Sequence, residues 1–168
     1  MSRIPASLAI AASLVLAASV ASARQSDRNQ PMDLEGDQMT CALGESGECT
    51  YTGAVLITQG TMNVRAAKAV IQRAGGDPSR ALLSGGVTLR QQLDDGTPLT
   101  ATASNVDYNL RTETVVFTGN VQISQPRGTL NGARVVYNMK TGSVESGGQQ
   151  GGGRVKMRIL PKGSQGGG

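Results

Sequence analysis

The sequence predicts an all-β fold: a curved sheet or jelly roll built from many short antiparallel strands. Three observations carry this. The chain is rich in Gly, with 23, has only four aromatic rings, and shows no apolar stripe at helical spacing. One phrase is written twice: "YTGAVLITQ" from Tyr51 and "FTGNVQISQ" from Phe117. At that offset of 66 residues, Tyr51–Ile71 aligns with Phe117–Tyr137 without gaps, seven of 21 positions being identical. Finally, apolar positions five residues apart recur in four places: Leu34 and Met39, Val64 and Ala69, Ala101 and Val106, Leu130 and Val135.

Five is odd, and strand side chains alternate faces with period two, so each pair should point opposite ways. One extra residue, a β-bulge, returns both to one face and bends the strand. The small pairs Ala66-Ala67 and Gly132-Ala133 stand where that bend is needed. The spacing therefore predicts bent strands, with the bulge in the small pairs and one apolar face kept inward.

Taken in order, residues 1–23 read as a cleavable signal peptide. Arg3 gives a positive start, Leu8 to Ala21 an apolar run, and Ala21-Ser22-Ala23 small residues at the cleavage site. The alternative is an N-terminal anchor helix. No cysteine follows the cut, which argues against lipid anchoring. Removing Arg3 takes the net charge from +4 to +3, too mild to call for a nucleic-acid partner. Residues 24–160 are read as one domain.

The domain opens with a strand in "QPMDLEG". Cys41 and Cys49 flank "ALGESGE" and are symmetric about Glu45, so a hairpin turning there sets them opposite each other. In an exported chain this favours a disulfide; a two-Cys metal site is the alternative, without further ligands to complete it. Next comes the first copy of the phrase, then the unit starting at Val64. "SGGVTL", Ser84 to Leu89, is a shorter echo of the phrase, and the units from Ala101 and Leu130 frame its second copy. Turn signals separate these units at 44–47, 73–80, 94–96, 109–113 and 138–143; Asp95-Gly96 predicts a tight primed turn. With about 30 to 37 residues per unit, the pattern describes stacked hairpins sharing one core. "ESGGQQGGG" is a flexible Gly-rich insert, with 147–153 at its centre. Arg154 to Leu160 alternates strictly and predicts a last strand, with Val155, Met157 and Ile159 on one face. Arg154, Lys156 and Arg158 form either a solvated edge or a contact for anionic headgroups. Residues 161–168 are read as a flexible tail.

Catalytic constellations are absent. The chain has no His, which removes Ser-His-Asp and Cys-His chemistry and any imidazole metal site. Asp94 and Asp95 are adjacent in a turn, and "GGDPSR" lacks P-loop spacing. Neither enzyme activity nor a cofactor is expected. The apolar faces are more informative: Met32 with Leu34, Val55 with Ile57, Val87 with Leu89, Val106 with Tyr108, and Val121 with Ile123 each alternate with polar neighbours. They form either an ordinary core or a groove for an apolar ligand. Their modest volumes fill a wide sandwich poorly.

"QPMDLEGDQ" (30–38), "YTGAVLITQGTMNVRAAKAVI" (51–71), "DYN" after "TATASNV", and "FTGNVQISQ" together resemble the LptA/OstA family of periplasmic lipopolysaccharide-transport proteins. The resemblance covers roughly residues 30–160. It implies a twisted open β-jellyroll of many antiparallel strands, located in the periplasm and stacked head to tail into a bridge between the membranes. The implied partners are lipopolysaccharide, further copies of the chain, an LptC-like jellyroll at the inner membrane and an LptD-like one at the outer. It places Met32, Leu34, Leu89 and Tyr108 facing inward. With Val55, Ile57, Val64, Val106, Val121 and Ile123 on the same apolar faces, these are the candidate lipid-groove residues. The Gly-rich insert and the Cys41/Cys49 pair depart from the family pattern. Competing assignments are a related jellyroll of the same pathway, against which the cleavable signal and short chain argue, and a structural β-solenoid that binds no lipid.

Overall fold

The computed structural model describes residues 27, 29–42, 44–147 and 153–161. The signal-peptide reading of 1–23, most of the Gly-rich insert and the tail beyond 161 lie outside these residues.

The described chain forms one antiparallel sheet of ten strands. These are β1 (Met32–Glu35), β2 (Gln38–Cys41), β3 (Glu48–Gln59), β4 (Met62–Ala74), β5 (Asp77–Gln92), β6 (Pro98–Asn109), β7 (Thr114–Gln125), β8 (Gly128–Asn138), β9 (Ser143–Ser146) and β10 (Lys156–Ile159). β3 to β8 pair in sequence order. β1 and β2 share one side of β3, Leu34 opposite Ile57 and Met39 opposite Tyr51, so they act as one strand broken at Gly36-Asp37. β9 and β10 likewise share the far side of β8. The "QPMDLEG" segment thus supplies only the first half of an edge.

Every paired neighbour from β3 to β8 shifts register at one line across the sheet. On β3, β5 and β7 the line passes through Gly53-Ala54, Gly85-Gly86 and Gly119-Asn120, all six at positive φ. On β4, β6 and β8 it passes through Ala66-Ala67, Ala103-Ser104 and Gly132-Ala133. The chain bends along this crease into two wings. Inward residues flank it by three positions on the small-residue strands, as at Ala66 and Ala69, and by four on the glycine strands, as at Leu83 and Val87. Val64 and Ala69 do share the inward face, as their spacing predicts. The extra residue, however, is not in the small pairs. Thr52 pairs with Lys68 and Val55 with Ala66, which leaves two residues on β3 facing one on β4. The bulge belongs to the glycine strands, because only they reach the left-handed backbone the bend demands. The small pairs make room for it: a Cβ on Gly85 would lie 2.4 Å from that of Ala67.

The first wing ends in the β3–β4, β5–β6 and β7–β8 turns. The second ends in the β2–β3, β4–β5, β6–β7 and β8–β9 turns. Gly75-Gly76, both at positive φ, make the two-residue turn after β4, so residues 77–80, expected in a turn, are already strand. At 93–97 the primed turn gives way to another form. Gly96 N–H donates to Leu93 O at 2.9 Å and only Gly96 has positive φ, the geometry of a type I turn closed by a left-handed Gly. Asn109 and Asn138 build matching turns, each side-chain oxygen accepting the N–H of the second and third residues onward. Glu113 and Gly142 fill the same positive-φ place in the two copies. Cys41 and Cys49 lie directly opposite in the β2–β3 ladder and are joined as a disulfide, with Cα atoms 4.0 Å apart. The last strand is shorter than Arg154 to Leu160 and keeps its alternation, with Met157 opposite Leu130.

Candidate functional site

Register turns the alternating pattern into rows that cross the whole sheet. On the first wing, successive partners read Leu34, Ile57, Val64, Leu89, Ala101, Ile123, Leu130 and Met157, all apolar. On the second, one row reads Met39, Tyr51, Ala69, Leu83, Val106, Phe117 and Val135 before ending at Ser146. Opposed residues of an antiparallel pair share a face, so these rows are the inner walls of the wings.

Near the crease the walls meet and pack. Val55, Val87, Val121 and Val135 are essentially inaccessible there. Farther out the side chains are too short to span the gap. What remains is a slot of about 600 Å³ lined from both wings. That lies within the range of roughly 300–1,000 Å³ usual for ligand sites.

Of the ten groove candidates, Met32, Ile57, Val64, Leu89, Val106, Tyr108 and Ile123 line this slot. Val55 and Val121 are instead sealed in the crease at 1% and 2% exposure. Leu34 packs against the core from edge strand β1 without forming part of the slot wall. Sequence reasoning did not single out Met62, Leu83, Val115, Phe117 or Tyr137, which also line it. The signal was there for Phe117, which begins the second copy of the repeated phrase.

The slot's two lips differ. Gln59, Gln91, Gln92, Gln125, Asp27, Asp94 and Asp95 stand on the first wing and its turns; Tyr137, Met139 and Val144 stand on the second. Asp95 accepts hydrogen bonds from Thr97, whose N–H lies at 2.8 Å, and these hold its carboxyl below the usual carboxylate range. Among the described residues, no Lys or Arg lines the slot. Cations occupy the outer face, where Arg65, Lys68, Arg90 and Arg134 are exposed. There the Arg80 guanidinium grips Asp107 with Nε–Oδ1 2.8 Å and a second Nη2–Oδ2 bond, lowering the Asp107 pKa.

Both ends of the sheet are open. Met39 on β2, Val144 on β9, and Met157 and Ile159 on β10 are the exposed large apolar residues of the edge strands. The first-wing apolar row therefore runs out to both edges rather than being closed off, while the second-wing row from Met39 ends in Ser146.

Comparison with known proteins places this architecture. Residues 33–143 match the family model described as LptA/(LptD N-terminal domain) LPS transport protein. The Escherichia coli K12 lipopolysaccharide export system protein LptA is 32% identical over 142 residues, covering 83% of this chain and 76% of that protein. LptA of Haemophilus influenzae is 33% identical over 154 residues, 89% of this chain and 88% of its own. In fold, the chain is similar to LptH, the LptA-homologous periplasmic component of the lipopolysaccharide transport device of Pseudomonas aeruginosa. The TM-score is 0.71 at 20% identity, over 81% of this chain and 99% of that one. An open antiparallel jellyroll creased along one line, matched in sequence across most of its length, makes this chain a member of the LptA/LptD N-terminal domain family.

Proposed function

We propose that this protein is a non-enzymatic periplasmic carrier that holds the acyl chains of lipopolysaccharide in the slot. Copies join edge to edge into a bridge that carries it from the inner to the outer membrane. The observation that supports this best is the unbroken apolar row from Leu34 to Met157, which reaches both open edges of the sheet. A storage pocket would be closed at its ends. Each buried CH₂ contributes about 0.8 kcal/mol, so one long acyl chain gains on the order of 10 kcal/mol. A closed site of that depth releases its cargo slowly. An open slot lets a chain leave one position as it enters the next.

Unpaired N–H and C=O groups along β1–β2 and β9–β10 can each accept another chain as a neighbouring strand. Joining unlike edges is a heterologous contact that does not close, so it yields filaments of variable length with their slots in line. The jellyroll proteins of the two membranes, LptC-like and LptD-like, are the terminal partners, and the energy for movement comes from the inner-membrane side. Native mass spectrometry of the mature protein mixed with lipopolysaccharide tests the carrier function. Adducts of protein with whole lipopolysaccharide are expected; a protein that stays lipid-free at every ratio is an assembly module and not a carrier.

A further inference from the structure

The two lips of the slot are built from different chemistry. Among the described residues, apart from the hydroxyls of Tyr108 and Tyr137, every polar side chain lining the slot comes from the first wing and its turns or the N-terminal Asp27. The arrangement is ordered. Gln59 faces inward between Met32 and Met62, Gln91 opposite Leu99, and Gln125 opposite Gly128. One row thus alternates apolar residues with amides, the amides standing on β3, β5 and β7. Alternate strands are roughly 9–10 Å apart, so the amides recur at that interval along the slot. The next row inward, from Leu34 to Met157, is wholly apolar. The amides therefore mark the line where an apolar lining ends. The repeated phrase itself brings two of them, since both copies end in Gln, at 59 and 125.

We infer that Gln59, Gln91 and Gln125 form a hydrogen-bonding track for the linkage region of an acylated sugar, contacting its hydroxyl, amide and ester groups rather than its phosphates. This rests on the carrier function proposed above. An amide both donates and accepts, which suits a region of mixed hydroxyls and carbonyls. Phosphates are disfavoured at this lip because Asp27, Asp94 and Asp95 stand there and, among the described residues, no Lys or Arg lines the slot. Polarity for solubility alone does not explain the row, because the neighbouring Thr58, Arg90 and Ser124 already face outward beside it. A track repeated on every second strand keeps the polar end of the cargo at one lip while its chains slide. The acylated sugar then has a fixed orientation in the slot.

The test measures binding of three probes: lipopolysaccharide, the same glycolipid after enzymatic removal of its phosphates, and palmitate. The proteins are the parent, the near-isosteric double variant Gln91→Met/Gln125→Met, and Gln122→Met on the outer face as control. The parent and control should bind all three, with dephosphorylation making little difference. The double variant should bind both glycolipids about tenfold more weakly or worse, since two hydrogen bonds are lost, and palmitate as the parent does. Gln125→Met alone, at an exposed position, should weaken glycolipid binding roughly threefold and keeps the test open should the double variant misfold. Glycolipid affinity unchanged in these variants overturns the track. So does an equal loss of palmitate in a folded variant, or a loss on dephosphorylation as large as that in the double variant. A parent protein that binds palmitate and no glycolipid overturns the carrier function itself, a result distinct from failure of the amides alone.

Discussion

Gly85 and Gly86 stand side by side on the crease at φ 83° and 81°, yet they do different jobs. A Cβ on Gly85 would meet Ala67 at 2.4 Å, while one on Gly86 would meet nothing within 4 Å. Gly85→Ala combines left-handed strain with a steric clash and should cost roughly 2–4 kcal/mol. Gly86→Ala carries the strain alone, about 1–2 kcal/mol. Urea unfolding of the two variants checks this; equal losses would mean that the close approach of β4 and β5 contributes nothing. The Cys41–Cys49 bond closes a short loop at an edge hairpin, worth about 2–3 kcal/mol in the chain-entropy view. Denatured, unreduced protein should therefore show no reactive thiols and, after reduction, two, with a lower unfolding midpoint. Much of this was legible in the sequence. The symmetry about Glu45 placed the cysteines, and the five-residue spacing placed the bend. The owner of the bulge was not legible, because spacing within one strand carries no record of its partner's backbone.

Among the elements, β5 and β6 are linked on the outer face by Arg80 and Asp107. Asp107 has a lowered pKa in the fold, chiefly through its hydrogen bond from Arg80. The pair therefore adds stability above the ordinary carboxylate pKa of about 4, and this is lost as pH falls through the lower folded value. Asp107→Asn should be slightly less stable than the parent at neutral pH, with the difference vanishing toward pH 2 in acid titrations of the unfolding midpoint. The effect is small because the pair is largely exposed. The edge strands carry more consequence. Deleting 154–168 removes β10 and leaves the first-wing half of β8 unpaired. The shortened protein should stay folded and monomeric in sedimentation, while the full chain forms concentration-dependent oligomers. A truncated form that assembles normally would rule out this edge as the contact. The strict alternation from Arg154 made β10 readable, since period two survives even in a short exposed strand. The break of the first edge at Gly36-Asp37 was not readable, because nothing local separates a bent strand from two short ones.

At the level of the whole molecule, a sheet creased along one line makes two apolar walls, and modest side chains leave a slot between them. The repeated phrase made the layered architecture legible, since each copy supplies a strand with the same bend. The inner face was legible by parity, which is how seven of ten candidates fall on the slot wall. The division between crease and slot was not. Val55 and Val121 have the same pattern as Ile57 and Ile123, and even Val87, equally close to the fold line, lines the slot, so packing across the crease decides what the pattern cannot. The lips were missed for a related reason: a glutamine before a turn looks like ordinary solvent-facing polarity until the register turns it inward. The central claim is that acyl chains travel between the two walls and not over the outer face. Site-specific photo-crosslinking in cells tests it most directly, with the reactive residue at Leu89 or Tyr108 on the slot wall, or at Lys68 or Arg134 on the exposed outer face. Lipopolysaccharide should be captured from positions 89 and 108 and not from 68 and 134; equal capture at all four would contradict the slot as the path.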